Sequence, residues 1–86
     1  MQRSKIQKKL QQSKDYLNDA KDTYQKALIG WKAAKKEYNI INKGGYDTRE
    51  IEGTIKATNE TMFYCLHKIT EFEEDIKRYE SQLKTG

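Results

Sequence analysis

The sequence predicts an all-α fold: an antiparallel two-helix hairpin of coiled-coil type, pairing into a four-helix bundle. Three observations predict it. Apolar residues recur every 3.5 residues along two long runs, a double glycine separates the runs, and no proline interrupts either. A single domain is expected over 1–86, with a first helix over about 3–43, a turn at 44–47 and a second helix over about 48–84.

The first run is Ile6, Leu10, Ser13, Leu17, Ala20, Tyr24, Ala27, Trp31, Ala34, Tyr38 and Ile41, in alternating steps of four and three. Strands and ordinary surface helices do not hold that phase, whereas the seam of a coiled coil requires it. Ser13 is its one polar member. With Leu17, Tyr24 and Trp31 as heptad position a, Ala20, Ala27 and Ala34 are d.

The turn follows at Asn42-Lys43-Gly44-Gly45-Tyr46-Asp47-Thr48-Arg49-Glu50. Gly44 is placed to end the first helix in a left-handed cap, and Lys43 suits the negative end of that helix. Asp47 or Thr48 can cap the next helix. Asp47 has Glu50 at capping-box spacing, and Glu50 and Glu52 suit a positive helix N-terminus. So short a connection makes the two helices antiparallel neighbours.

The second run is Ile51, Ile55, Thr58, Met62, Cys65, Ile69, Phe72, Ile76, Tyr79 and Leu83. Folding the chain about Gly44–Gly45 pairs residues whose numbers add to 89, and stripe then meets stripe. Small faces large over most of the length: alanines meet Ile55, Met62 and Ile69, while Trp31 and Tyr24 meet Thr58 and Cys65. Such volume matching lets two backbones run close without voids. Gly30 and Gly53 fall inside the helices but off the seam.

Composition agrees with a thin helical rod. Of 86 residues, 35% are hydrophobic and 35% charged, too polar to wrap a thick globular core. The charge is uneven: residues 1–44 hold eleven Lys/Arg against four Asp/Glu, a net of +7, and residues 45–86 hold six against nine, a net of −3. The two halves should therefore attract one another. A single cysteine excludes an internal disulfide, and the N-terminus lacks the apolar stretch of a targeting signal, so the expected location is cytoplasmic.

The chemistry expected is not catalytic. Cys65 and His67 are two residues apart, pointing to nearly opposite sides of a helix, and no further Cys or His exists to complete a zinc site. Cys65 reads as a small seam hydrophobe. A hairpin offers no cavity for nucleophile, base and orienting group together, and Gly44-Gly45 precedes no Lys-Ser/Thr pair that would hold phosphate. The run Glu71-Phe72-Glu73-Glu74-Asp75 places Phe72 in the seam and its acids toward solvent. No enzyme, cofactor, metal, small molecule or membrane partner is expected.

Two binding surfaces remain. Leu28 falls at e and Ile29 at f of the first helix; Leu66 falls at e, Phe63 at b and Tyr64 at c of the second. Since e faces e′ in an antiparallel pair, Leu28, Phe63 and Leu66 crowd one side midway along the rod, and Ile29 and Tyr64 are expected to extend that patch outward. Apolar residues the seam does not need, on so polar a chain, mark an interface with a partner protein or with a second copy. The alternative is a nucleic-acid-binding accessory protein using Arg3, Lys5, Lys8, Lys9, Lys14, Lys32, Lys35 and Lys36 against phosphates. The acids of residues 71–80 return beside that basic end, which weakens it.

In size and architecture the chain resembles the small helical-hairpin proteins of type VII secretion, which carry a Trp-x-Gly at their turn. Here Trp31 is followed by Lys32 and Ala33, and the heptad runs on through it to Ile41. No functional residue is carried over. The function expected is non-enzymatic protein binding through the apolar flank.

Overall fold

A computed structural model describes residues 2–85 and shows two helices packed against each other, with no strand among the described residues. Helix α1 spans Gln2–Lys43 and α2 spans Arg49–Thr85. At 1.5 Å per residue, 42 residues rise about 63 Å, matching the 65 Å length of the rod, whose other extents are 14 and 13 Å.

The helices run antiparallel. The Tyr16 and Phe72 rings lie 5.6 Å apart, and a Cβ placed on Gly30 would sit 3.6 Å from the Thr58 Cγ2 methyl. Both pairs add to 88, one away from the sum of 89 that the turn dictates. Near the free ends Arg3 Nη1 donates to the Leu83 carbonyl at 3.4 Å. That bond serves one of the carbonyls left open at the C-terminus of α2.

All 21 residues of the two stripes are withdrawn from solvent to some degree. Only Ser13, Ala34 and Cys65 are buried outright, and no large side chain is fully covered among the described residues. Two helices can shield a seam from two sides but not from four. Thr58, the polar member of the second stripe, turns its hydroxyl back on its own helix, donating to the Thr54 and Ile55 carbonyls at 3.0 Å each. Its methyl is thereby left for the seam.

The turn is a Schellman motif. The Gly45 N–H donates to the Asn42 carbonyl at 3.1 Å, and the Tyr46 N–H reaches back to the Ile41 carbonyl at 3.2 Å. Gly45, with φ of 75°, occupies the left-handed position, so the cap lies one residue later than Gly44. Gly44 answers a different demand: a Cβ there would stand 2.7 Å from the Tyr46 ring. Thr48 then caps α2, its carbonyl accepting the first helical bond from the Glu52 N–H at 2.9 Å. The spacing of Asp47 and Glu50 does not become a reciprocal box. The Asp47 carboxylate instead accepts the Arg49 N–H at 3.0 Å and grips the Arg49 guanidinium at 2.9–3.2 Å. That guanidinium, with help from the Arg49 N–H, holds the Asp47 carboxyl below its usual range.

Candidate interaction surface

A two-helix rod has two flanks, and the grooves along the seam identify them. One groove, of about 600 Å³, includes Tyr16, Thr23, Thr61 and Lys68 in its walls, all at heptad position g, with Ala20, Cys65 and Phe72 of the d layers beneath. A second on the same side runs toward the turn past Gly30, Glu37 and Thr54. The opposite flank opens between Lys35 and Glu52, both at e, over Tyr38 and Ile55 of the a layers. The d residues thus edge one side of the rod and the a residues the other.

These flanks divide the apolar group read from the sequence. Leu28 is half-buried, and Leu66 and Phe63 are 44% and 66% exposed, on the e flank midway along the rod. Ile29, at f, is exposed and lies opposite the seam on the wheel of α1. Tyr64 does not extend the Leu28/Phe63/Leu66 patch. It lines the g-side groove beside Tyr16, with Lys68 Nζ 5.6 Å from the centre of its ring. Positions b and c sit on opposite sides of a helix's outer face, so neighbours in sequence serve different flanks. Tyr16, Ile40 and Tyr46 are further exposed apolar residues that the sequence reading passed over. Tyr16 at g and Ile40 at c are found by asking which apolar residues the seam leaves unused, the question that found Phe63.

Charge is distributed just as unevenly between the flanks. The helical ion pairs among the described residues are Lys26–Asp22 (3.1 Å), His67–Glu71 (3.0 Å), Lys68–Glu71 (3.2 Å) and Arg78–Asp75 (2.8 Å). Every partner lies at c, f or g, on the outer face or the g side, and every pair stays within one helix. No ion pair joins α1 to α2 among the described residues, so the opposite charges of the two halves are not used in direct contacts between the arms. The e flank keeps Lys14, Lys21 and Lys35 on α1 and Glu52, Glu73 and Glu80 on α2, all exposed and none in an ion pair. Lys35 Nζ lies over the Trp31 ring at 5.2 Å, and Glu52 accepts the Thr48 hydroxyl at 3.1 Å.

The basic residues of α1 form no single face. Lys5, Lys8, Lys9 and Lys14 fall at c, f, g and e, encircling the helix, and Arg3 turns to the end of α2. Lys32, Lys35 and Lys36 stand at b, e and f, about 27 Å further along at 1.5 Å per residue counted from Lys14. Cys65 is 3% exposed, within the seam.

No helix among the described residues is long and apolar enough to cross a membrane. Compared with family models, curated proteins and solved structures, the chain has no significant match in any of the three.

Proposed function

We propose that this chain is a non-enzymatic protein-interaction module that docks through its e flank, associating with a second hairpin into a four-helix bundle. The observation that carries the reading is the uncovered apolar centre of that flank, Leu28, Phe63 and Leu66, on a chain only 35% hydrophobic. Shape supports it. The chain exposes 6828 Å², while a compact monomer of 10.2 kDa exposes about 5,300 Å² by the usual scaling of area with mass. A face of a bundle left open would account for such an excess.

Phe63→Glu tests the reading. Phe63 lies outside the seam, so the hairpin should keep its helical content, while a like charge from each copy enters the contact at a cost of roughly 2–4 kcal/mol per dimer. Sedimentation of wild type and variant across a concentration series should show association in the first and its loss in the second. Association that is equal in both removes the patch from the account. Binding of DNA or RNA with a steep salt dependence, in place of protein association, would instead favour the basic arm.

A further inference from the structure

We infer that the partner favoured by the e flank is a different protein, one whose helical face is apolar at its middle and acidic along its borders. The inference rests on the e flank being the docking face and adds the chemistry of what docks there.

The chain's net charge lies on this flank. Positions e and b form it on both helices, and c and g form the opposite one. At b stand Lys32, Arg49, Lys56, Lys77 and Lys84, with no acid among them. Asp47 neutralises Arg49 beside the turn through their 2.9 Å ion pair, which leaves four unopposed lysines, all exposed. The charges at e cancel, three lysines against three glutamates, and Lys35 faces Glu52 across the groove over Tyr38 and Ile55. The flank therefore carries +4, the whole formal charge of the chain. Positions c and g hold five bases and five acids, and f and the seam hold four of each. Lys56 lines the e-side groove itself, and Lys32, whose number adds with it to 88, stands level across the rod. Lys77 and Lys84 border the flank beyond Phe63, toward the free ends.

This charge discriminates among occupants. A second copy would lay four surplus lysines against four more around the same apolar centre, a like-charge contact that costs affinity. Copies can still pair through that centre, but against repulsion, so that screening by salt strengthens them. A phosphate backbone would meet the lysines, yet Leu28, Phe63 and Leu66 offer it nothing and the e glutamates repel it. A flat anionic surface meets the same glutamates. A helical face with an apolar stripe and acidic edges matches both features: the stripe covers Leu28, Phe63 and Leu66, and the edges reach the b lysines at the rim. The rod's outline of 65 by 14 Å offers such a partner a footprint of about 900 Å², the size of a standard stable interface.

The test builds the acidic face on this chain. The variant Lys32→Glu, Lys56→Glu, Lys77→Glu, Lys84→Glu keeps the apolar centre and inverts the charge of the flank. A control, Lys5→Glu, Lys8→Glu, Lys9→Glu, Lys36→Glu, changes the net charge equally at positions c, f and g. Circular dichroism establishes that both remain helical, and fluorescence anisotropy of labelled wild type titrated with each reads the affinities. At low salt the wild type should bind the flank variant about tenfold or more tighter than it binds itself or the control. Salt of about 0.5 M should erase most of that advantage while strengthening the pairing of wild type with itself. Replacing the same four lysines with glutamine, a milder change, should make that variant pair with itself more tightly than wild type does. Phe63→Glu in the wild-type partner should abolish the mixed pair. The inference is overturned if the wild type prefers itself, if the control binds as tightly as the flank variant, if the glutamine version gains nothing, or if the mixed pair survives Phe63→Glu. Duplex DNA or phosphatidylserine-rich vesicles that bind the wild type more tightly than the flank variant does overturn it as well. Where the wild type prefers itself and Phe63→Glu abolishes that pair, the docking reading stands without this inference. Absence of association in every combination removes both.

Discussion

Replacing Trp31 with alanine should remove more stability than any other single truncation in the seam. Trp31 is the largest side chain of either stripe, partly open to solvent, with Lys35 Nζ 5.2 Å above its ring. A tryptophan buries between 150 and 250 Å² when packed, and the partial exposure here places it near the lower figure. At about 25 cal/mol per Å², less what the alanine methyl retains, the loss is about 3 kcal/mol. The rod opens to water along both flanks, so solvent can enter the vacated space and little further cavity penalty is expected. The lysine contact adds no more than about 0.5–1 kcal/mol at so exposed a site. A domain of this size moves its Tm by about 4–8 °C per kcal/mol, so Trp31→Ala should melt roughly 12–24 °C below wild type. The assay is thermal and urea unfolding followed by circular dichroism at one fixed low concentration, with Lys35→Ala to isolate the cation contribution. A loss of less than about 4 °C at unchanged helicity would refute the reasoning. Trp31 would then stand outside the seam, and the pairing of the arms would need to be redrawn.

Two further outcomes concern the turn and the helix interiors. Gly45→Ala places a side chain at φ of 75° and should cost about 1–2 kcal/mol, whereas Gly53→Ala, with nothing near its Cβ, should stabilise α2 by about 1 kcal/mol; urea midpoints decide both, and equal effects would refute the assignment of the left-handed residue. Asp47, its carboxyl held low by Arg49, gives stability that is complete above the ordinary carboxylate pKa and lost as pH falls through the lower folded value; Asp47→Asn should flatten the fall of Tm on that acid side, and an unchanged acid limb would show the pair contributes nothing.

The seam was legible because a 3.5-residue period has one physical meaning, and every residue it selected is at least partly withdrawn from solvent. Finer features were lost where two neighbours could serve one role. Gly44 and Gly45 can each take a left-handed cap; the choice falls to the Tyr46 N–H reaching Ile41 and to the Tyr46 ring lying over Gly44. Asp47 had two suitors, and the Arg49 guanidinium, as a charged and forked donor, prevailed over the box with Glu50. Tyr64 and Phe63 both stand at mid-rod, yet Tyr64 lines the g-side groove. Height along a helix says nothing of azimuth, and one residue turns the side chain by about 100°. The missing ligand, partner and chemistry have a plainer cause. Outside the seam and the turn, a rod of two helices constrains few side chains, so periodicity says little about what its surface is for.

The charge asymmetry between the halves likewise takes its meaning from the fold. Read along the sequence, a basic half and an acidic half attract, and a hairpin satisfies the attraction by closing. In the structure no ion pair crosses from α1 to α2 among the described residues, so closing leaves those charges unmatched at contact distance. Exposed pairs contribute little in any case, because solvent screening removes most of their attraction. The helices are held instead by the apolar stripes, and removing all six e charges should leave the hairpin folded.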